Sequence, residues 1–269
     1  MPKRPQKLTG LVSSDGIEPT DPWPGRHGRF AGLISWLSLP IYIWQGIAMR
    51  RRSLRLSPPP GPVEGRFDGE APEIHLLVLG DSSVQAVGVG RQEDGLATNL
   101  AKSLADESGR AVRWRAAGFN SATVPQLIRA VMPHLEPRDF THIVVSVGVN
   151  DAKNWHSARR FNRDFGELIY ALRARFPHAQ LFWNPIFDFR LVPGLPEPLA
   201  TVLDLRADVL TRRARNLCRE RGMIVLPDLA GGAAEAFSRD AFHAGVTGYR
   251  MMGEHMAAHI LSVDATISD

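Results

Sequence analysis

The chain has 269 residues, 44% of them hydrophobic, and a net charge of +4. This length accommodates one sizeable domain plus an appendage, and the composition excludes global disorder. Cys218 is the single cysteine, which excludes an intrachain disulfide and a CxxC metal clip. The first 72 residues hold ten Lys and Arg against six Asp and Glu, and the remainder is balanced at 22 against 22. Because the basic excess is not on the folded body, we expect no nucleic-acid partner.

The N-terminal part divides into a leader and an apolar run. Residues 1–29, rich in proline, glycine and charge, are predicted to be a flexible leader. The 19 residues 31–49 are uncharged and are followed by three arginines. We therefore predict that residues 30–52 are a hydrophobic helical segment with a basic flank that associates with an anionic membrane surface. If the segment spans, the three arginines on its C-terminal flank place the folded domain in the cytoplasm, so we expect an inner membrane with this domain on the cytoplasmic side.

Three arrangements of this segment remain open: a helix that lies in the interface or re-enters it, a single span, and a hydrophobic helix docked on the folded domain. Pro40 is expected to kink a continuous helix. The more polar side chains recur at steps of three and four, which puts them on one stripe of a helix opposite an apolar face. These residues are Ser35, Ser38, Tyr42, Gln45 and Met49. The pattern favours an interfacial or a docked helix.

Residues 53–72 are predicted to be a Pro/Gly linker, and residues 73–263 the folded domain. Short apolar runs alternate there with helical patterns. The predicted strands are Ile74–Leu79, Val112–Ala117, Thr141–Val147, Gln180–Asn184 and Met223–Leu226. The predicted helices cover approximately residues 96–107, 124–135, 159–176, 199–221 and 247–261. Strand followed by helix, five times over, predicts an α/β fold with a five-stranded parallel sheet and helices on both faces.

Polar motifs follow the first three strands, and a fourth precedes the last helix. They read GDSS at 80–83, GFNSAT at 118–123, GVND at 148–151 and DAFH at 240–243. Each motif alone is typical of an ordinary turn. In doubly wound sheets, however, the working site lies beyond the carboxyl ends of the strands. The joint occurrence of all four motifs at that edge indicates one catalytic site.

The residue types in these motifs fit ester hydrolysis. Such a reaction needs a nucleophilic alcohol, a base that takes its proton and a group that orients the base. Ser82, His243 and Asp240 supply these parts. The negative oxygen of the transition state needs hydrogen-bond donors, for which the Ser82 backbone N–H and the Asn150 side-chain amide are the candidates.

The order and context of GDSS, GVND and DAFH resemble the motif blocks of the SGNH (GDSL-type) hydrolases, in a bacterial subgroup, over about residues 74–263. The resemblance implies a flavodoxin-like three-layer fold and hydrolysis of an ester or thioester. In this superfamily, a glycine two residues before a threonine usually supplies a third oxyanion donor. Counting back from Thr123 puts Ser121 there, so Ser121 is favoured over Gly118.

The apolar loop Asn184–Pro198 leaves the same sheet edge, and Phe187, Phe189 and Leu191 are expected to line the substrate site. Packing of this loop under a neighbouring helix is the alternative. The reaction needs no cofactor, and we expect no metal because His255 and His259 lack an HExxH context and a third ligand.

We therefore predict a membrane-associated serine esterase that hydrolyses lipid-like or short-chain acyl esters through an acyl-enzyme. Two alternatives stay open. The same catalytic parts serve carbohydrate O-deacetylation, and a catalytically silent binding module at the membrane would share the fold without the reaction.

Overall fold

The computed structural model describes residue 27 and residues 30–52, 54–136, 138–229 and 234–268. Except for His27, the leader predicted over residues 1–29 lies outside the described residues. The strands are β1 Glu64–Phe67, β2 Glu70–Gly80, β3 Arg110–Gly118, β4 His142–Ser146, β5 Gln180–Asn184 and β6 Ile224–Val225. The α-helices are α1 Ala31–Leu37, α2 Leu39–Arg52, α3 Leu96–Ser108, α4 Val124–Ala130, α5 Val149–Lys153, α6 Ala158–Arg175, α7 Leu199–Arg221 and α8 Val246–Ser268.

All six strands form one sheet in the order β1-β3-β2-β4-β5-β6. Strands β2 to β6 run parallel to one another. Numbered along the chain, these five follow the order 2-1-3-4-5 of flavodoxin-like sheets. Strand β1 pairs with β3 in the antiparallel direction. The sheet is therefore mixed, and the prediction of a five-stranded parallel sheet is wrong by one edge strand.

Strand β1 lies inside the segment predicted to be a linker, residues 53–72, and that prediction is wrong there. Its four residues alternate between exposed and half-buried, so the strand is too short and too polar to give a clear periodic signal. Tertiary contact holds it: a Cβ added to Gly65 would lie 2.9 Å from Nε1 of Trp114 on β3. Strand β2 also begins at Glu70, before the predicted domain boundary at residue 73.

Two helix ends differ from the prediction. Helix α4 ends at Ala130, and a 3-10 turn over Met132–His134 replaces its predicted last turn. Pro133 lacks the N–H that an α-helix would use at this point. Helix α8 continues to Ser268, since neither glycine nor proline interrupts its final turns.

Helices cover both faces of the sheet because the central strands are apolar on both. Along β2, Ile74, Leu76 and Val78 point toward α3 and α8, whereas Leu77 and Leu79 point toward α4, α6 and α7. This alternation follows from the two-residue period of a strand, and burial of both faces is typical of parallel sheets. The result is a three-layer molecule whose carboxyl strand edge stays open.

The apolar run predicted as one helix forms α1 and α2, with a bend of 61° between them. At the break, the Ser38 hydroxyl donates to the Ile34 carbonyl at 2.8 Å, and the following Pro40 has no N–H to continue the α1 ladder. No single helix within the described ranges is long and apolar enough to cross a bilayer, but α1 and α2 together meet that criterion. We call α1 and α2 the N-terminal helix pair.

The polar stripe of the N-terminal helix pair faces the protein. Ser35 is fully buried, and Ser38, Tyr42, Gln45 and Met49 are half-buried, with both helices contacting α7. The large apolar side chains of the pair are exposed, mostly on the opposite side, and we call them the outer apolar face: Phe30, Leu33, Ile34, Trp36, Leu37, Ile41, Ile43, Trp44 and Ile47. Trp36 lies at the border of this face, since its ring also contacts Trp155 and Arg206. The pair therefore turns its more polar side inward and its apolar side outward.

Candidate active site

Strand register aligns the ends of the central strands at one edge. Gly80 at the end of β2 is level with Gly118 on β3 and Ser146 on β4, and Ser146 is level with Asn184 on β5. A Cβ on Gly80 would lie 2.1 Å from the Ser146 carbonyl oxygen, and one on Gly118 would lie 1.9 Å from the Gly80 carbonyl oxygen. Glycine at both positions lets the strand ends approach closely at the point where the predicted nucleophile follows.

Ser82, His243 and Asp240 form a continuous chain of side chains above this edge. The Ser82 Oγ lies 3.1 Å from Nε2 of His243, and Nδ1 of His243 lies 2.6 Å from Oδ2 of Asp240. These distances match a nucleophile, a base and a group that orients the base. The structure thus brings the three predicted catalytic residues together, although Ser82 and His243 are 161 positions apart in the chain.

The Asp240 carboxylate accepts four hydrogen bonds, one of which comes from the His243 ring. Its Oδ1 accepts from the Ser238 hydroxyl at 2.7 Å and from the backbone N–H groups of Phe242 and His243 at 3.0 and 2.9 Å. Burial by itself would raise the pKa of Asp240, but the bonds from the His243 ring, these two N–H groups and Ser238 outweigh it and lower the pKa. The carboxylate is therefore ionised at neutral pH and keeps a proton on Nδ1 of His243.

Asn150 lies behind the nucleophile turn and is 5% exposed. Its Nδ2 donates to Oδ2 of Asp81 and to the Ala122 carbonyl, both at 3.1 Å. The other carboxylate oxygen of Asp81 accepts from the backbone N–H and the hydroxyl of Ser83, each at 3.1 Å. Burial raises the pKa of Asp81, and the bonds from Ser83 oppose that rise. The sequence did not indicate that Asp81 links the nucleophile turn to Asn150.

The two candidates for the third oxyanion donor differ in backbone conformation. Ser121 has φ +66°, in the left-handed region that favours glycine. Gly118 has φ +152° and belongs to β3, where its neighbour across the sheet is Gly80. The conformation at Ser121 therefore fits the glycine that the resemblance to SGNH hydrolases leads us to expect at this position. The prediction of Ser121 over Gly118 as the donor stays a prediction.

A cleft of about 370 Å³ opens from Ser82 and His243. Asp81 and Ser83 also line it at the nucleophile end, and most of its remaining wall is apolar. Phe187 and Leu191 line the cleft from the loop after β5, and both are partly exposed at 39% and 45%. A cleft of this volume and lining is typical of a small-molecule site.

Phe189, the third residue predicted to line the substrate site, does not do so. Its side chain is fully buried in the core that α7 covers, and its backbone N–H donates to Oδ1 of Asp204 at 3.3 Å. The loop makes a 3-10 turn over Phe189–Leu191, so successive side chains point in different directions. Both interpretations of the loop therefore hold in part, because it walls the cleft with some residues and packs into the core with others.

Helix α8 supplies a wall of the cleft that sequence reasoning missed. Met251, Met252 and Met256 line the cleft together with Leu229 and Phe242. The available signal was the methionine-rich sequence YRMMGEHM at 249–256, since methionine adapts to irregular apolar space. The cleft thus extends from the nucleophile toward flexible apolar side chains.

The two histidines of α8, His255 and His259, differ in their surroundings. His255 has its Nε2 3.0 Å from the Pro227 carbonyl, and burial, assisted by His255, lowers the pKa of His259. Over the part of the chain that the structure describes, no group of three or more His, Cys, Asp and Glu side chains is arranged to hold a metal ion.

A family model described as GDSL-like lipase/acylhydrolase matches residues 78–251, which is more than half of the chain. This chain belongs to the GDSL-like lipase/acylhydrolase family. The matched range begins in β2, ends in α8 and includes the three residues of the triad. The resemblance to SGNH (GDSL-type) hydrolases predicted from the sequence is confirmed.

Individual members of the GDSL-like family are distant relatives. The GDSL-like esterase Rv1075c of Mycobacterium tuberculosis is 23% identical over 205 residues, and the match covers 72% of this chain and 64% of that protein. The chain therefore spans less than two thirds of this curated relative.

Two solved structures illustrate the shared fold. The psychrotrophic esterase EstA from Pseudoalteromonas sp. has a TM-score of 0.56 at 17% identity, covering 70% of this chain and 97% of that one. A carbohydrate esterase family 2 enzyme from Corynascus thermopiles (Myceliophthora fergusii) has a TM-score of 0.55 at 14% identity, covering 73% and 68%. At these identities the likeness concerns the fold alone.

Proposed function

We propose that this protein is a carboxylic-ester hydrolase that cleaves acyl esters through an acyl-serine intermediate. The observation that carries the proposal is the chain from Ser82 Oγ through the His243 ring to Asp240, with distances of 3.1 and 2.6 Å, at the head of an apolar cleft. Membership of a family described as lipases and acylhydrolases supports the same class of reaction.

The proposed first half-reaction transfers the acyl group to Ser82. Because Asp240 holds the proton on Nδ1 of His243, Nε2 is free to accept the Ser82 proton as Oγ attacks the carbonyl carbon. The tetrahedral intermediate then collapses, and the bond to the alcohol oxygen breaks. His243 gives its proton to the departing alcohol, which leaves Ser82 acylated and the imidazole neutral.

Water completes the cycle in the second half-reaction. His243 takes a proton from a water molecule as its oxygen attacks the acyl carbon, and the bond between that carbon and the Ser82 Oγ breaks. The proton on His243 returns to the Ser82 oxygen, and the carboxylic acid is released. Each proton that leaves Ser82 or water therefore passes through Nε2, the ring nitrogen that faces Ser82.

The proposed oxyanion donors are the backbone N–H of Ser82, the Asn150 amide and the backbone N–H of Ser121. Such a donor contributes about 2.7–4 kcal/mol to transition-state stabilisation. Both N–H bonds of Asn150 have acceptors, on Asp81 and Ala122, and Asp81 is the neighbour of Ser82. We assign the hydrogen on the Asp81 side to the oxyanion, because Asp81 directly precedes the nucleophile Ser82.

The proposed substrates are lipid-like or short-chain acyl esters. Phe187 and Leu191 from the loop after β5 and Met252 from α8 provide apolar contact for an acyl chain. A carbohydrate O-acetyl ester would leave most of this apolar wall without a partner. An acyl chain gains free energy from each methylene that it buries there, about 0.8 kcal/mol.

We expect the kcat/KM of the wild type for p-nitrophenyl esters to rise from acetyl to medium-length chains before it falls toward palmitoyl. Met252→Trp adds bulk beside the cleft and should lower kcat/KM for octanoyl and longer esters at least about tenfold relative to acetyl, because a misfit of one methylene is worth at least that factor. Met252→Leu is the matched control. An acetyl optimum in all three proteins, with turnover of acetylated sugars, would instead favour carbohydrate O-deacetylation.

The same proposal assigns the N-terminal helix pair to a membrane surface. Its outer apolar face exposes nine large side chains, whereas soluble monomers rarely expose apolar patches larger than a few hundred Å². Trp44 is 74% exposed, and indole rings favour the headgroup region. Arg51 and Arg55 are exposed and follow the apolar run in the chain, and their charges favour anionic lipid. We propose the cytoplasmic side of the inner membrane, because arginines follow the apolar run.

We expect the double variant Ile43→Ser and Trp44→Ser to bind sedimented vesicles containing phosphatidylglycerol at least about tenfold more weakly than the wild type, since burying each large apolar side chain contributes roughly 1.5–3 kcal/mol. Tyr170→Ser is the control, because Tyr170 is 71% exposed on α6 and lies outside the outer apolar face. Equal vesicle binding by the double variant and the wild type would refute the membrane assignment.

A further inference from the structure

The short helix α5 connects the catalytic centre to the N-terminal helix pair. It carries Asn150 in its first turn and ends at Lys153. Asp151 fixes its first turn, since its Oδ2 accepts from the backbone N–H of Val124 at 3.1 Å and its Oδ1 lies 2.8 Å from Nδ1 of His156. The last carbonyl groups of a helix have no partner within the helix, so the far end of α5 depends on contacts from elsewhere.

Tyr42 of α2 supplies that contact. Its hydroxyl donates to the Lys153 carbonyl, and its ring centroid lies 4.6 Å from the ring of Trp155, two residues farther along. The carbonyls of Asn150 and Ala152 accept from the N–H groups of residues 154 and 155 at 2.8 and 3.1 Å. Tyr42 thus contacts both the last residue of α5 and the turn that closes it.

Trp155 is held in an unfavourable backbone conformation, with φ +57°. A bulky residue in the left-handed region costs free energy and persists where its surroundings hold it. Those surroundings are the ring of Tyr42, the ring of Trp36 at 6.4 Å and the guanidinium of Arg206 at 5.5 Å. Two of these three groups belong to the N-terminal helix pair, so the pair holds the turn after α5 in place.

A second set of contacts connects the end of α5 to His243, the proposed catalytic base. The Lys153 ammonium lies 4.5 Å from the centroid of the Phe242 ring, and that ring lies 5.3 Å from the ring of His243. The Phe242 ring also lies 6.2 Å from the ring of Phe187, and both residues line the cleft. A shift of Lys153 therefore acts on the neighbour of His243 as well as on the helix that carries Asn150.

We propose that Tyr42 is a positioning residue for ester hydrolysis: by binding the end of α5 and the ring of Trp155, it holds Asn150 where its amide reaches the oxyanion. This inference rests on the proposed function, in which Asn150 is an oxyanion donor. It makes the N-terminal helix pair part of the active-site support, with Tyr42 on its inner side and the outer apolar face on the other. Hydrolysis then depends on how the pair is seated against the protein.

The test compares full-length Tyr42→Phe with Tyr170→Phe, which removes an exposed hydroxyl on α6. The substrate is p-nitrophenyl acetate without vesicles, which separates chemistry from membrane binding. We expect Tyr42→Phe to lower kcat about tenfold at unchanged KM, because a small misplacement of a catalytic group costs up to about a hundredfold. The rate of fluorophosphonate labelling of Ser82 should fall in parallel, and Tyr170→Phe should match the wild type.

A second variant tests the case in which the ring of Tyr42, without its hydroxyl, holds the turn at Trp155. Trp155→Asn removes the indole, and asparagine tolerates the left-handed conformation, so the turn is retained. We expect a loss of kcat at least as large as in Tyr42→Phe, with vesicle binding equal to the wild type in both.

The outcomes separate the two proposals. Wild-type kcat and labelling rate in both variants, with turnover that requires Ser82, would overturn the positioning role and leave the proposed function intact. A rise in KM at unchanged kcat would also overturn it, because Tyr42 would then affect substrate binding. A wild type without Ser82-dependent turnover would overturn the proposed function and this inference together.

Discussion

Ser82→Ala should abolish ester turnover, with kcat reduced on the order of 10⁵- to 10⁶-fold, because removing the nucleophile leaves only the donors and the binding cleft to act on the ester. The free energy of unfolding should stay close to that of the wild type, since the Ser82 side chain has His243 as its partner in the site and supports no part of the core. The measurements are steady-state hydrolysis of p-nitrophenyl esters and covalent labelling with a fluorophosphonate, followed by mass spectrometry of the labelled peptide.

The adjacent serine provides the matched control for this prediction. Ser83 is next in the chain, and its hydroxyl lies 3.1 Å from Asp81 and 3.1 Å from Ser146, so it is held away from the base. Ser83→Ala should still take up the label at Ser82. The thiol of Cys218 should not compete for reagent, because it is buried and burial raises its pKa to about 12. A folded wild type without label or turnover would favour the catalytically silent module.

Asp240→Asn should lower kcat by about 10⁴-fold at nearly unchanged KM, because an amide no longer enforces the imidazole tautomer that accepts the Ser82 proton. In the wild type the pKa of Asp240 is lowered, so the carboxylate stays ionised through the neutral range. Its contribution to the free energy of unfolding is present above the pKa of an unfolded aspartate and is lost as the pH falls through the lowered folded value. Asp240 therefore adds no inflection to a kcat profile measured near neutrality.

Another carboxylate–histidine pair serves as the control for Asp240. Asp264 on α8 lies 3.1 Å from Nε2 of His142, at the end of β4 opposite to the active-site edge. Burial by itself would raise the pKa of Asp264, but the bonds from His142 and Gln180 and the nearby charges of His142 and Arg110 together outweigh it and lower the pKa. Asp264→Asn should reduce the melting temperature and leave kcat unchanged. Similar kcat losses in the two variants would contradict a specific role for Asp240.

The central strands and the triad could be predicted from the sequence because their signals are local. A run such as Ile74–Leu79 is apolar on both faces, and it is followed at once by glycine and the nucleophile. Parallel strands share one carboxyl edge, so the motifs after them must meet there. Asp240 and His243 are three residues apart, which lets one loop present both. For these elements, the spacing of the residues along the chain is sufficient to predict which side chains lie close together.

Features formed by residues distant in the chain were not predictable in the same way. Strand β1 was missed because its four residues have little apolar periodicity, and pairing with β3 holds it. Phe189 was misassigned because a 3-10 turn directs its ring into the core while Phe187 and Leu191 reach the cleft. The methionines of α8 line the cleft only because that helix packs against α3 on one face of the sheet, with its first turns beside the active-site edge.

The sequence by itself determined the composition of the candidate site: the order of strands and motifs sets which side chains reach the carboxyl edge, and Ser82, His243 and Asp240 follow from that order. Only the tertiary structure decided which way the N-terminal helix pair faces. Helical periodicity separates a polar stripe from an apolar face, but it cannot say which of them meets the protein. The partners that decide this are Lys153, Trp155 and Arg206, which approach Tyr42 and Trp36 from more than 100 residues away and only in the folded chain.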